Sequence, residues 1–339
     1  MLGRLGDECV GALRFLSDEK SSHDPGYRPL QDEDFEALSK AAVFEIANDM
    51  QDSRLSLAGA QSKTGWFLPH GKDAKKAGSG DWMLPPGSAP STYIVKIAST
   101  KHPNLPLNEF ICMTAASAAG LEVARAEASE TIPGAFVSER YDRIWSNEPP
   151  SMGGFDVPLR LHQEVFCQAV GWPSYMKYET RPDSCYMALC GRLIREQSSN
   201  VIADAQTFAR KVMVDYALGN CDSHLKNHSF LYSPSWREKR LAPAYDIVCT
   251  TIMGYDHNLG IDIGDHRVID EVTPEDFEFM SQDLHLPLKM IKSIAAEVVK
   301  GMSAQLAELA SATGDLGRVA LEIQTDSVGR MRVLERFSA

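Results

Sequence analysis

The sequence predicts an α+β fold of two lobes, a β-rich lobe over residues 1–140 and an all-helical lobe over residues 141–339. Short apolar and β-branched runs, separated by loops that carry Gly and Pro, fill the first lobe. Helical periodicity dominates the second. A third observation lies in residues 219–246, where an Asp, an Asn and another Asp follow in the order that enzymes of the protein-kinase type use.

The first lobe is predicted as a sheet with two helices. The helix over residues 31–50 has apolar residues at helical spacing, and the helix over residues 107–119 ends before Gly120, which favours a left-handed C-cap. The loops around Gly59 and over residues 70–91 are rich in small and polar residues. Strands are predicted over residues 10–16, 64–69, 92–98, 121–128 and 135–140.

The second lobe is predicted as a set of helices, and the seam between the lobes is placed near residues 139–143. A β-rich lobe followed by a helical lobe is the layout of a protein kinase, so this is the architecture that we expect. The helices are predicted over residues 184–198, 204–218, 274–283, 287–310 and 314–334.

Length and composition limit the classes of function. A chain of 339 residues with 44% hydrophobic and 24% charged residues is typical of a globular protein with a large core. The net charge of −12 disfavours an electrostatic grip on nucleic acid by the whole surface. Seven scattered cysteines form no CxxC pair, which favours free thiols in the cytoplasm. The sequence contains no run of 18 apolar residues, so no membrane span is predicted. The first residues lack the apolar region of a signal peptide.

The candidate catalytic loop contains Asp222 and Asn227, which lie 227 − 222 = 5 positions apart. A kinase catalytic loop has this gap between its base and its metal-binding Asn. One carboxylate must accept the proton of an attacking hydroxyl, while an amide oxygen and a second carboxylate hold Mg²⁺ against the ATP phosphates. Asp246, which follows Tyr245, supplies the second carboxylate. The pattern therefore indicates phosphoryl transfer with ATP and Mg²⁺.

Two basic residues lie inside the same loop. His224 is predicted to orient Asp222 or the phosphates, and Lys226 to neutralise the phosphate as it transfers. For both residues, simple solvation of a loop is the alternative.

Lys96 stands in the apolar run Tyr93-Ile94-Val95-Lys96-Ile97, where a buried ammonium is costly without an anion. An ATP phosphate or Glu109, 109 − 96 = 13 residues further on, would compensate its charge. The alternative is a Lys that extends from an edge strand into water, beside an unrelated surface Glu.

Two further segments are candidates for nucleotide contacts. Residues 139–143 end a strand where a kinase linker would pass the adenine, and Asp142 is placed to reach the ribose; a charged strand end is the alternative. The loop over residues 54–63 contains one Gly and no GxGxxG, but its small residues would let backbone N–H groups approach phosphates.

These motifs resemble the HipA family of bacterial toxin kinases, and they occur in the family's order along most of the chain. They are SLAGAQSK at 56–63, TYIVKIA at 92–98, Asn108-Glu109, ERYDR at 139–143, HQEVFCQ at 162–168, GNCDSHLKN at 219–227 and LAPAYD at 241–246. The chain departs from common protein kinases in two ways: His224 follows Asp222 rather than preceding it, and Tyr245-Asp246-Ile247 replaces DFG.

The resemblance implies a role for each matching residue. Asp222 would be the base, and Asn227 and Asp246 the Mg²⁺ ligands. Ser56 would be the site of autophosphorylation, with Ser53 as an alternative. The implied ATP-binding residues are Ala58, Gly59, Ala60, Gln61, Ser62, Lys63, Lys96, Glu109, Glu139, Arg140, Tyr141, Asp142, His224, Asn227, Tyr245 and Asp246.

The resemblance also implies partners. A protein substrate, expected to be an aminoacyl-tRNA synthetase, would be phosphorylated, and a HipB-like DNA-binding antitoxin would hold the toxin, so that DNA is met only through the antitoxin. The chain resembles either a trimmed HipA or a short HipT-like toxin whose N-terminal subdomain comes from a small HipS-like protein. A catalytically silent pseudokinase that acts as an autorepressor with its antitoxin, and a small-molecule kinase, are the alternatives.

Overall fold

The computed structural model of the protein describes residues 11–12, 26–39, 63–85, 89–98, 102–179 and 184–339. The chain divides into two compact units, the first comprising Met1–Phe110 with Ala124–Gln163 and the second comprising Ile111–Val123 with Glu164–Ala339. This division differs from the boundary expected near residue 140. The short segment Ile111–Val123 groups with the second unit, and the first unit continues to Gln163.

The first unit contains a four-stranded antiparallel sheet in the order β2-β4-β6-β5. Its other strands form short two-stranded pairs. In chain order the strands are β1 (Arg28–Pro29), β2 (Lys63–Trp66), β3 (Met83–Leu84), β4 (Tyr93–Ile97), β5 (Ala126–Ala128), β6 (Ala135–Glu139), β7 (Arg143–Ile144), β8 (Ser151–Met152), β9 (Phe155–Asp156) and β10 (Leu159–Arg160), and the helices are α1 (Asp32–Ser39) and α2 (Leu105–Ala118). The part of helix α2 from Ile111 onward belongs to the second unit.

Most strands predicted in the first lobe are present in shortened form. The strands predicted over residues 92–98 and 135–140 are confirmed, whereas only Ala126–Ala128 of the strand over residues 121–128 is extended. Gly120 follows α2 with φ +77°, as predicted for a C-cap. The strand predicted over residues 10–16 lies largely outside the described residues.

Strand β4 has buried residues on both faces. Val95 packs on one face with Trp66, Trp82 and Val137. Lys96 is its neighbour in the strand and therefore points to the opposite face, yet it is also buried. Because strand β4 is covered on both sides, its sequence is a nearly continuous apolar run. The ammonium of Lys96 is therefore buried, and an anion must compensate its charge.

The second unit is mostly helical but is not all-helical, which corrects the expectation for this lobe. Strands β11, β12 and β13 form one small sheet, and β14 and β15 form another. The elements are β11 (Gln163–Val165), α3 (Phe166–Ala169), α4 (Tyr186–Gln197), α5 (Val201–Leu218), β12 (Ser229–Tyr232), β13 (Lys239–Leu241), β14 (Asn258–Ile263), β15 (His266–Val268), α6 (Asp276–Asp283), α7 (Leu288–Ala310) and α8 (Gly314–Ser338).

Within the described part of the chain there is neither a helix that could cross a membrane nor a disulfide. The helices there are too short or too polar for any of them to span a bilayer. The six cysteines that the structure describes are free thiols, as predicted for them.

Candidate active site

The loop that carries Asp222 begins where helix α5 ends. Gly219 terminates the helix with φ +73°, a left-handed conformation that favours glycine, and a Cβ there would lie 2.2 Å from Thr251 Oγ1. Thr250 fastens the start of the loop, because its hydroxyl donates to the Gly219 carbonyl and accepts from the Cys221 N–H, both at 2.9 Å. The loop is thus tied to a rigid helix end.

Asp215 anchors the loop from below through a buried polar network. Its Oδ2 accepts from Lys211 Nζ at 2.7 Å and from the Ser223 hydroxyl. Its Oδ1 accepts from Asn220 Nδ2 at 2.9 Å. A buried carboxylate is stable only when such donors surround it, so this network fixes the loop backbone on both sides of Asp222. Asp215 was not predicted as part of the site, because in the sequence it looks like an ordinary residue of an amphipathic helix.

Strand β14 closes the other side of the loop through Gly260. A Cβ at this position would lie 2.7 Å from the Ser223 carbonyl oxygen and 2.9 Å from the His224 nitrogen. These neighbours are backbone atoms and cannot rotate away. Only glycine therefore allows the strand to approach the loop this closely.

We expect Gly260→Ala to destabilise the protein by about 1–3 kcal/mol, because the added methyl group must displace the loop backbone. Urea unfolding measures the loss. Gly329→Ala is the matched control, since nothing lies within 4 Å of a Cβ at this exposed position of helix α8. The control should gain stability, because alanine favours a helix over glycine by about 1 kcal/mol. Equal changes for both variants would contradict the steric argument.

Asp222 is the exposed carboxylate of the loop. Its side chain is 54% exposed, and its Oδ1 accepts a hydrogen bond from the Tyr178 hydroxyl. Asn227 turns back to it, donating from Nδ2 to the Asp222 carbonyl oxygen at 2.8 Å. The five-residue gap therefore closes a compact turn in which the carboxylate faces solvent.

His224 is buried, and its ring is neutral. Burial, with the nearby ammonium of Lys177, lowers the pKa of His224 to about 4, although Asp222 opposes the shift. Lys177 Nζ donates to Nε2 at 2.7 Å, whereas the gap from Nε2 to Asp222 Oδ1 is 3.8 Å. The expected direct orientation of Asp222 by His224 is therefore not seen at hydrogen-bond distance. Lys226, expected at the transferring phosphate, donates to the Ser174 hydroxyl at 3.3 Å.

Asn227 and Asp246 offer the oxygen donors that Mg²⁺ prefers. Because the Nδ2 of Asn227 is engaged with Asp222, the amide oxygen is the atom left to coordinate. Asp246 has φ +54°, a conformation that non-glycine residues adopt rarely and that Asp and Asn tolerate best. Tyr245 precedes it and is fixed by its hydroxyl, which donates to the Lys226 carbonyl at 2.9 Å and contacts the Ser229 hydroxyl. The donor set fits a magnesium ion.

The described residues contain no group of three or more His, Cys, Asp and Glu side chains that could hold a metal by themselves. A magnesium site with one amide and one carboxylate does not need such a group, because phosphate oxygens and water complete its coordination. The residues therefore suit a metal that arrives with a nucleotide.

The first unit contains the predicted Lys96–Glu109 pair. Lys96 Nζ donates to both carboxylate oxygens of Glu109, at 2.6 and 2.8 Å. The side chains are 5% and 2% exposed. The alternative of a Lys extending into water is therefore wrong, and the ion pair joins strand β4 to helix α2.

We expect Lys96→Met or Glu109→Gln to cost about 3–5 kcal/mol of stability each, because either change leaves a buried partner without its counter-charge. Replacing both residues with Met should restore most of that stability, since a well-packed apolar pair avoids the desolvation of two ions. Thermal unfolding of the two single variants and the double variant tests this. Additive losses in the double variant would show that the pair is not coupled.

Asp142, predicted to reach the ribose, belongs to a buried ionic cluster of the first unit. Its two oxygens accept from Arg140 at 3.0 and 2.8 Å, and Oδ2 also accepts from the Gly11 N–H at 2.8 Å. Arg143 lies 3.0 Å from the same oxygen. These arginines hold the pKa of Asp142 far below its usual range despite its burial, which acts in the opposite direction. The predicted contact of Asp142 with the ribose of ATP stays a prediction.

The other residues predicted around the adenine lie at the end of strand β6. The Glu139 N–H donates to the Arg125 carbonyl at 2.7 Å, and the Arg140 N–H donates to the Thr92 carbonyl at 2.9 Å. Both N–H groups are therefore hydrogen-bonded to backbone carbonyls of the first unit. The Arg140 side chain also donates to the Ser91 hydroxyl at 2.9 Å. Glu139 and Arg140 thus have hydrogen-bond partners within the first unit. Tyr141, also predicted at the adenine, is the next residue in the chain.

The predicted phosphate loop lies almost entirely outside the described residues. These include Ala58, Gly59, Ala60, Gln61 and Ser62, as well as the candidate phosphorylation sites Ser53 and Ser56. Lys63 is described; it starts strand β2 and pairs with Lys96 in the antiparallel register of the sheet.

The segment Lys177-Tyr178-Glu179 was not predicted, and it supports the catalytic loop. The Lys177 carbonyl accepts from the Leu225 N–H at 3.1 Å, and the Glu179 N–H donates to the Gly260 carbonyl at 3.0 Å. The carboxylate of Glu179 accepts from the backbone N–H groups of Tyr186, at 2.9 Å, and Asp262, at 3.0 Å. The triplet KYE carries no signal by its spacing, because its partners are distant in the sequence.

Glu179 gives a prediction for the pH dependence of stability. Burial raises the pKa of Glu179 to about 7, outweighing the two backbone hydrogen bonds that favour the charged form. Since its pKa in the unfolded chain is the lower one, its contribution to stability is complete below about pH 4.5 and is lost as pH rises through 7. We expect Glu179→Gln to flatten that part of the profile, measured by urea unfolding between pH 5 and 8. The exposed Glu278→Gln should leave the slope unchanged.

The sequence is similar to known proteins along most of its length. The sequence model of one protein family, the HipA-like C-terminal domain, matches residues 55–306. Y4mE of Sinorhizobium fredii is 28% identical over 351 aligned residues, which cover 100% of this chain and 79% of that protein. The serine/threonine-protein kinase toxin HipA of Shewanella oneidensis is 26% identical over 321 residues, covering 91% of this chain and 70% of the toxin.

Among solved structures, HipA of Shewanella oneidensis MR-1 in complex with HipB and operator DNA has the same fold. The two chains superpose with a TM-score of 0.72 at 22% identity, over 97% of this chain and 78% of the other. The likeness shows a HipA-type, protein-kinase-like α+β fold.

Proposed function

The chain belongs to the family of HipA-like C-terminal domains, and from that premise we propose that it is an ATP-dependent protein serine/threonine kinase that acts as the toxin of a toxin–antitoxin pair. The observation that carries this proposal is the loop of residues 219–227. There an exposed carboxylate at Asp222 stands on a backbone that hydrogen bonds hold on both sides.

In this reaction Asp222 acts as the general base. It accepts the proton of a substrate hydroxyl while that oxygen forms a bond to the γ-phosphorus of ATP. The bond from that phosphorus to the bridging oxygen of ADP breaks, and ADP leaves with the electron pair. The half-exposed side chain lets a protein hydroxyl approach, and the Asn227 amide fixes the backbone that carries the base.

Asn227 Oδ1 and Asp246 would hold magnesium in this reaction, and Lys96 would contact the phosphates. Bound magnesium neutralises charge on the transferring phosphates. Glu109 keeps the Lys96 ammonium in one place, because both of its oxygens bind it. Tyr245 holds the backbone before Asp246 through its bond to the Lys226 carbonyl.

The proposal extends to substrate, regulation and partner. We assign the substrate class to aminoacyl-tRNA synthetases and self-inactivation to phosphorylation of Ser56, both from the family resemblance. A phosphate there would add about −2 charge and oppose binding of the ATP phosphates. The partner is a HipB-like antitoxin, through which the protein meets DNA, and the place of action is the cytoplasm. The solved complex of Shewanella HipA with HipB supports this choice of partner.

Incubation with γ-labelled ATP and Mg²⁺, with and without purified aminoacyl-tRNA synthetases, tests the proposed function. We expect label on a synthetase and on Ser56, located by mass spectrometry. ATP binding without any transfer would instead favour a pseudokinase that acts with its antitoxin. Transfer to a metabolite, but to no protein, would favour a small-molecule kinase. Label on Ser53 alone would move the site of self-inactivation and keep the enzyme class.

A further inference from the structure

The hydroxyl of Tyr178 is bonded to the carboxylate proposed as the base. It donates to Asp222 Oδ1 from a position 44 residues earlier in the chain. The Asp222 side chain as a whole is half exposed. One oxygen of the carboxylate is therefore bonded to the protein, while the side chain stays open to solvent.

Tyr178 is held firmly on both sides by its neighbours. The Lys177 carbonyl is bonded to the Leu225 N–H of the catalytic loop, and the Glu179 N–H is bonded to Gly260 of strand β14. Glu179 is itself buried and accepts two backbone hydrogen bonds. With anchors at both adjacent residues, Tyr178 is fixed to the same framework as Asp222.

The ring of Tyr178 is also packed in place. Lys177 Nζ lies 4.6 Å from its centroid, and the His224 ring meets it edge to face at 4.9 Å. Lys177 donates to His224 as well, so three side chains and Asp222 form one connected group. These contacts argue against a Tyr178 side chain that blocks Asp222 and moves away whenever a substrate binds.

We propose that Tyr178 is a positioning residue for phosphoryl transfer, holding Oδ1 of Asp222 so that Oδ2 faces the incoming hydroxyl. The inference rests on the proposed function and adds a residue to it. Tyr178 touches neither of the reacting oxygens; it acts by restricting the carboxylate to one orientation. Burial and the charge of Asp222 raise the pKa of Tyr178 above that of a free tyrosine, which keeps the donor proton on the phenol throughout the physiological range.

Tyr178→Phe tests the role, because it deletes the hydroxyl and keeps the ring that packs on Lys177 and His224. We expect kcat to fall about 10- to 100-fold, with the KM values for ATP and for the acceptor protein unchanged, since only the transition state loses a correctly oriented base. Tyr175→Phe is the matched control on the same segment. Tyr175 is 83% exposed, and removing its hydroxyl should change neither parameter.

Three outcomes would overturn the proposal. A higher kcat in Tyr178→Phe would show that the phenol competes with the substrate hydroxyl. An unchanged kcat would show that it has no role. A kcat loss accompanied by an equal loss of folded protein, judged by thermal unfolding, would make the residue structural only.

A second measurement does not depend on activity and separates this inference from the proposed function. The wild type is labelled with tyrosine that carries ¹³C at the ζ carbon. The NMR signal that is absent from Tyr178→Phe belongs to Tyr178, and its shift with pH gives the pKa of that phenol. We expect that pKa to fall in Asp222→Ala, because the carboxylate that stabilises the protonated phenol is gone. If the wild type transfers no phosphate, the proposed function fails. If the pKa is the same in Asp222→Ala, the bond between Tyr178 and Asp222 does not exist, and the positioning role fails with it.

Discussion

Asp222→Asn is expected to lower the rate of phosphoryl transfer by about 10²–10⁴-fold, the usual contribution of a general base. The amide has nearly the same shape as the carboxylate and can still accept a hydrogen bond from Tyr178, but it cannot take up a proton. The backbone contacts of the loop, including the one from Asn227 to the carbonyl of residue 222, do not involve the changed group. The fold should therefore survive.

The measurement is single-turnover transfer from γ-labelled ATP to the acceptor protein, with ATP affinity determined by calorimetry. ATP affinity should remain within about twofold, because the base contacts the acceptor and not the nucleotide. Asp265→Asn, at an exposed position, is the matched control and should transfer normally. A variant that lost ATP binding together with transfer would place position 222 in the nucleotide site and refute its role as the base.

Asp246→Asn is expected to have the second large effect, abolishing transfer at ordinary magnesium concentrations. The substitution removes the charged ligand from a pair of oxygen donors, leaving two neutral amides for Mg²⁺. Position 246 has φ +54°, and Asn tolerates this left-handed conformation as well as Asp does. The change therefore isolates the charge from any effect on the backbone.

Transfer measured against magnesium concentration checks this prediction. The wild type should saturate, while Asp246→Asn should stay at least about 100-fold lower at the same concentration, the order of loss expected when a ligand of a catalytic ion is weakened. Unfolding curves of the two proteins should coincide. A near-normal rate in the variant would remove Asp246 from the metal site and leave Asn227 without its proposed partner.

The ion pair of Lys96 and Glu109 could be predicted because the chemistry is local. A lysine inside an apolar strand demands an anion, and a glutamate on the next helix is a short connection away. Asp142 shows the opposite case. Its charged neighbours in the sequence suggested a charged strand end or a ribose contact, and they did not predict that Arg140, Arg143 and the distant Gly11 would surround the carboxylate. No spacing in the sequence indicates that these three residues surround Asp142.

The same distinction applies to the catalytic loop. The gap from Asp222 to Asn227 follows from one turn of backbone, so the sequence alone predicts it. Tyr178 contacts Asp222 from 44 residues away, and Gly260 contacts Ser223 from 260 − 223 = 37 residues away. Neither position carries a pattern of its own. The small strands β14 and β15 were missed for a related reason: a short strand depends on its partner more than on its own propensity.

The order of residues along this chain was enough to predict an α+β protein of the HipA type and the tight turn from Asp222 to Asn227, because the spacing of a tight loop and the periodicity of helices are local properties. Tertiary structure alone decided which carboxylates are available. Asp222 is left half exposed while Asp215 and Asp142 are enclosed by donors, and this depends on groups that only the folded chain brings within hydrogen-bond distance.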